Sequence, residues 1–111
     1  MNYSFTFTVS SKSGKYDIST RNNGSVWGTN PLLCQYGAVG DIRREFLDDK
    51  KNKLSWLKPF VTYLEENSKK ILDESKTKKI EYIGNFNGEE IKYVLDILCD
   101  VEIPMSSVFY N

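Results

Sequence analysis

The stretch from Ser55 to Ser75 constrains this chain most, because it is the one place where a helical period runs long enough to dictate packing. Leu57, Phe60, Val61, Leu64, Ile71 and Leu72 fall on one stripe, interrupted at Ser68, while Lys58, Thr62, Glu65, Glu66, Lys69, Lys70, Asp73 and Glu74 cover the other side. Ser55 is the N-cap candidate. Pro59 is tolerated only in a first turn, where its missing N–H has no helical partner to lose, so the helix starts near Trp56 or Lys58. Glu65 and Glu66 precede Lys69 and Lys70 by four residues, the favourable orientation, at about 0.2–0.5 kcal/mol per pair. Burial of the apolar stripe contributes more, at about 1.5–3 kcal/mol per large side chain removed from water. The rest of the fold must supply the surface that stripe packs on.

That surface is announced at the start of the chain. Tyr3, Phe5, Phe7 and Val9 alternate with Ser4, Thr6 and Thr8, the period of a strand with one face on a core and one in water. A polar loop, Ser10 to Gly14, leads to a second alternation at Tyr16, Ile18 and Thr20, and the two segments close as a hairpin. Asn22-Asn23-Gly24 marks a turn, and Ser25-Val26-Trp27 reads as a short third strand. Asn30-Pro31 punctuates the chain. No single period fits Leu32 to Gly40, which reads as a strand or a packed loop. Asp41 is an N-cap candidate for a short helix from Asp41 to Asp49, with Ile42 and Phe46 on its apolar side, and Lys50 to Lys53 forms a basic linker. Ile80, Tyr82 and Gly84 alternate with Glu81 and Ile83 as a further strand. Asn85 to Gly88 turns the chain, and Ile91, Val94, Leu95 and Leu98 at helical spacing, behind Glu89 and Glu90, predict a third helix from Gly88 to Cys99. Pro104 ends any helix beyond, leaving Val101 to Ile103 and Val108 to Tyr110 as extended pieces. The expectation is an α+β fold: one domain over 1–111, an antiparallel sheet opened by the N-terminal hairpin, and about three helices on one face.

A chain of 111 residues buries enough surface for a core without staples. Cys34 and Cys99 are its two cysteines; with no secretory start and no run of about 18 apolar residues, a cytoplasmic protein with reduced thiols is expected. The two thiols read as small buried hydrophobes. The chain has no histidine, which removes the commonest general base, metal ligand and nucleophile activator together. No metal or cofactor site is expected. Asp41 with Glu45, and Asp96 with Asp100, share a spacing of four, but spacing alone does not make a catalytic pair. Neither Gly24–Gly28 nor Gly37–Gly40 carries a phosphate-loop pattern. The sequence therefore points away from an enzyme.

Charge is balanced at 15 basic and 15 acidic residues, yet unevenly placed. From Ile80 to Asn111, Glu81, Glu89, Glu90, Asp96, Asp100 and Glu102 stand against Lys92 alone, a net of −5. Arg43, Arg44, Lys50, Lys51 and Lys53 cluster near Trp56, but Asp41, Glu45, Asp48 and Asp49 interleave, so no uninterrupted basic face serves a nucleic acid. Most aromatics sit on periodic apolar faces. Trp27 and Tyr36 do not, and in turn-rich sequence they are the candidate exposed anchors for a partner.

In its hairpin from Tyr3 to Thr20, its acidic run from Glu81 to Glu102 and its lack of catalytic groups, the chain resembles small bacterial toxin-immunity proteins of contact-dependent growth inhibition and other polymorphic toxin systems. The resemblance implies inhibition by binding to a cognate toxin domain, often a basic nuclease. Glu89, Glu90, Asp96, Asp100 and Glu102 would then meet the partner's basic surface, with Trp27 and Tyr36 as anchors, and no membrane would be involved. The alternatives are a phage or mobile-element adaptor of host machinery, and a small nucleic-acid-binding module.

Overall fold

The computed structural model describes residues 1–47 and 55–99. The N-terminal alternation forms β1 (Asn2–Ser11), which turns into β2 (Ile18–Ser25) as the predicted hairpin. The chain then builds two helices, α1 (Pro31–Leu47) and α2 (Lys58–Ile71), and returns through β3 (Thr77–Phe86) and β4 (Glu89–Cys99). All pairings are antiparallel, in the order β2-β1-β4-β3, so β1 and β4 occupy the centre. Both helices lie in the connection from one sheet edge to the other, and they cover one face of the sheet.

The core is set by parity. Tyr3, Phe5, Phe7 and Val9 of β1 and Ile91, Tyr93, Leu95, Ile97 and Cys99 of β4 point to the helices and are buried. They meet Cys34, Ala38, Val39 and Ile42 of α1 and Phe60, Val61 and Leu64 of α2. Phe60 is the hub. Its ring stacks on Tyr93 at 5.2 Å between centroids and on Phe7 at 5.6 Å. The Tyr93 hydroxyl donates to the Trp56 carbonyl, tying the start of α2 to the middle of β4.

The α+β class and the antiparallel sheet agree with the sequence reading, whereas the helices differ from it. The segment expected to be a third helix, Gly88 to Cys99, is strand β4. Phe86 pairs with Glu89 across Asn87-Gly88, whose φ values of 52° and 79° make the two-residue hairpin turn that suits the twist of paired strands. The segment left open from Leu32 and the short helix expected from Asp41 are one continuous helix, α1. Asn30 caps it, its side-chain oxygen accepting the Leu32 N–H at 3.0 Å, and Pro31 takes the first helical position. Asp41 is therefore no N-cap; inside α1, its carboxylate accepts the Tyr3 hydroxyl at 2.8 Å and pairs with Arg44. Ser55 is no cap either: Ser55–Leu57 form a 3-10 turn, and α2 starts after Leu57 with no side-chain cap bond and Pro59 in its first turn. Strand β2 ends at Ser25, so Val26 and Trp27 belong to a loop. The expected linker Lys50 to Lys53 and the extended pieces Val101 to Ile103 and Val108 to Tyr110 lie outside the described residues.

Candidate functional site

The loop after β2 presents the most exposed large hydrophobic side chain among the described residues. Its base is pinned by reciprocal bonds, Val26 N–H to the Met1 carbonyl and the Met1 nitrogen to the Val26 carbonyl, both 2.9 Å. Trp27 follows at once and is 96% exposed. Gly28 next takes φ 100°, and a Cβ there would stand 3.2 Å from Leu33 Cδ1, so Leu33 lies against the backbone beside Trp27. Leu33 is 43% exposed and Tyr36 42%, and at spacing three they share one face of α1. Tyr36 continues into a shallow groove between α1 and α2, lined with Val39, Gly40, Leu64 and Ser68 and bridged by the Arg43–Glu65 ion pair at 2.9 Å. Trp27, Leu33 and Tyr36 thus form an apolar strip that starts at the capped end of α1 and runs towards that groove.

The cap end is rigidly held. The buried Gln35 amide donates to the Ser75 carbonyl at 2.7 Å and accepts the Asp73 N–H at 3.0 Å, joining α1 to the α2–β3 connection. Asp73 pairs with Lys78 at 2.8 Å, and that bond together with those from Ser75 holds its carboxyl far below the usual carboxylate range. Asn30 reaches Glu74 at 3.3 Å from the same side.

The acids singled out by sequence do not gather with these anchors. Glu89 and Glu90, adjacent on a strand, point to opposite faces. The Ser13 hydroxyl donates to Glu89 at 2.7 Å, the chief reason its carboxyl titrates below the ordinary range. Glu90 and Asp96 share the open sheet face but are separated by six positions, about 20 Å along the strand. Asp96 pairs in register with Thr6 and Lys79, and Thr6 with Arg21, so a cationic residue stands to either side of it. Asp100 and Glu102 lie outside the described residues.

The open face as a whole is charge-neutral among the described residues: Arg21, Lys79 and Lys92 against Glu81, Glu90 and Asp96. It carries Ser and Thr on β1, aliphatic Ile83, Val94 and Leu98, and no aromatic ring among the described residues. Trp56, beside the basic cluster in sequence, packs on Tyr16 at 5.4 Å. Cys34 and Cys99 are buried where the first turn of α1 meets the sheet, their thiols directed at the Asn2 and Pro31 carbonyls. No group of three or more potential metal ligands occurs among the described residues, and no helix among them is long and apolar enough to cross a membrane.

Sequence reasoning missed Leu33. Its exposure follows from the phase of α1, and the signal for that phase was Asn30-Pro31, a cap residue followed by a first-position proline. Known protein-family models, curated proteins and solved structures offer no match to this chain.

Proposed function

We propose that this chain is a non-catalytic protein-binding inhibitor, an immunity-type protein that neutralises a toxin domain by direct contact. The observation that carries this reading is Trp27, 96% exposed on a pinned loop next to the half-exposed Leu33 and Tyr36. A large indole kept in water contributes little to folding, and indole and phenol rings are the side chains that most often dominate protein interfaces. Leu33 and Tyr36 sit on a helix held by the Gln35 clamp, so little ordering cost falls on binding. Glu90, Asp96 and the further acids Asp100 and Glu102 would act in steering the encounter with a basic partner rather than in the packed centre. A nucleic-acid module is less well supported, because the open face is neutral and offers bases no ring to stack on among the described residues.

The test is recovery of the tagged full chain from its own host, washed at low and at high salt, with mass spectrometry of what remains. One stoichiometric protein that survives high salt, is released by Trp27→Ala with Tyr36→Ala, and is toxic when expressed without this chain supports the reading. Recovery of the chain alone, or of nucleic acid released by salt, overturns it.

A further inference from the structure

Among the described residues the sheet ends on two edge strands, β2 and β3, and the β3 edge is complementary to itself. In the β3–β4 hairpin, Phe86 and Glu89 flank the two-residue turn, so they exchange both backbone bonds, and the alternation of the antiparallel ladder follows from there. Phe86, Gly84, Tyr82, Ile80 and Lys78 direct their N–H and C=O groups at β4. Asn85, Ile83, Glu81, Lys79 and Thr77 direct theirs away from it, over the outer edge of β3. The same five residues carry their side chains on the face that the helices leave open.

Two copies meeting antiparallel along this edge can pair only outward-directed residues with outward-directed residues, which leaves a short series of registers. Centred on Glu81, the two Glu81 side chains oppose each other. Centred on Tyr82, Glu81 faces Ile83 and Lys79 faces Asn85. Centred on Ile80, Lys79 of each copy faces Glu81 of the other, twice across the two-fold axis, and Thr77 faces Ile83. This last register makes about eight backbone hydrogen bonds and places opposite charges directly across from one another, where cross-strand pairs are strongest. Within one chain the same two side chains already form an ion pair at 3.3 Å, both about half exposed, so the dimer would close a ring of four alternating charges.

A second feature fits the same register. Ile83 is 58% exposed and Leu98 46%, two of the three exposed large aliphatic side chains among the described residues. Leu98 neighbours Thr77 on β4. With Thr77 of one copy opposite Ile83 of the other, Ile83, the Thr77 methyl group and Leu98 form one continuous apolar row across the junction. Lysines on an edge commonly guard against such pairing, because two like rows repel. Here the lysine is followed two positions on by glutamate, and the edge is self-complementary instead. The β2 edge offers no such match, since Arg21 is its one charged residue.

We propose that the chain associates with a second copy through its β3 edges, in the register centred on Ile80, to form a continuous eight-stranded sheet. Sedimentation velocity of the full chain over a concentration series tests this. The wild type is expected to show a reversible monomer–dimer equilibrium. Lys79→Glu and Glu81→Lys each create two like-charge oppositions and are expected to weaken the dimer about tenfold or more. Circular dichroism confirms that each variant is folded. The double variant K79E/E81K restores both pairs within a homodimer. Mixing the two single variants restores both pairs within a heterodimer, an outcome that misfolding could not produce. A wild type that stays monomeric at every concentration overturns the proposal. So does a dimer indifferent to both single substitutions, or one that neither the double variant nor the mixture restores.

Discussion

Helix α1 contains two glycines three positions apart, and the structure assigns them opposite responses to the same substitution. A Cβ added at Gly40 would meet nothing within 4 Å, whereas one added at Gly37 would stand 3.1 Å from Cε1 and the hydroxyl oxygen of Tyr3. Glycine within a helix is less favourable than alanine by about 1 kcal/mol, because its backbone has more freedom to lose. Gly40→Ala therefore stabilises the protein by about that amount. At Gly37 the same gain is offset by overpacking, which costs about 1–3 kcal/mol when the neighbour cannot move. Tyr3 has little room: its ring is buried between Gly37 and Gly24, and its hydroxyl is held by Asp41. The two variants should differ by about 1–3 kcal/mol, with G40A above the wild type and G37A at or below it. Equilibrium urea unfolding reads this as midpoints separated by about 0.5–1.5 M at ordinary denaturant slopes. In a Tyr3→Leu background the obstacle is smaller, so G37A should recover the helical gain, a coupling that appears only between residues in contact. Equal stabilisation by G37A and G40A in the wild-type background would refute the seating of Tyr3 on Gly37.

Other perturbations follow from the same contacts. Gln35→Leu leaves the Ser75 carbonyl and Asp73 N–H without their buried partner and should cost about 2 kcal/mol, read as a lower urea midpoint; a loss under about 0.5 kcal/mol would mean that water replaces the clamp. Burial, with Tyr82 adding to it, pushes the Tyr93 hydroxyl up to about 12, and burial also raises Tyr3. Tyrosines of the unfolded chain ionise near pH 10, so above that pH the unfolded state holds fewer protons than the folded one; stability is full below about pH 10 and falls as pH approaches 12. Tyr93→Phe should flatten that alkaline fall while costing about 1 kcal/mol at neutral pH for the bond to the Trp56 carbonyl; parallel pH profiles would refute the assignment. Trp27→Ala should leave the unfolding midpoint within about 0.5 kcal/mol of wild type, and a larger loss would mean that the indole supports the fold.

How far the chain could be read in advance depended on whether a segment satisfied one period or two. Strand β1 and helix α2 satisfy one each, and both were legible. Segment 89–99 satisfies two: Ile91, Val94, Leu95 and Leu98 at helical spacing, and Ile91, Tyr93, Leu95, Ile97 and Cys99 at spacing two. Both sets are apolar because the strand lies at the centre of the sheet and its open face still carries Val94 and Leu98. What separates the readings is local: Asn87-Gly88 is a two-residue hairpin turn, and Ile80 to Phe86 before it already alternates. Helix α1 was obscured for the reverse reason, since Gly37 and Gly40 lower its propensity, and Gly37 is placed there by the Tyr3 ring, a contact from strand β1 that local sequence does not show.

The same misassigned period governs how the surface is understood. On a helix, Glu89 and Glu90 would cap the positive end, with Asp96 on the same element about two turns away, and the acidic third would read as one patch. On a strand, adjacent residues part to opposite faces: Glu89 goes to Ser13 at the hairpin tips, and Asp96 goes to the open face between Thr6 and Lys79. Net charge survives that change but its concentration at one place does not, and concentrated charge is what steers a partner. Trp27 needed no period, because a large ring on a loop has no face to hide on; Tyr36, read as part of a turn-rich stretch, lies on α1 and is exposed by the phase of that helix. They stand beside Leu33, which only the phase of α1 reveals, so the apolar strip becomes complete once the Asn30 cap fixes where that helix begins.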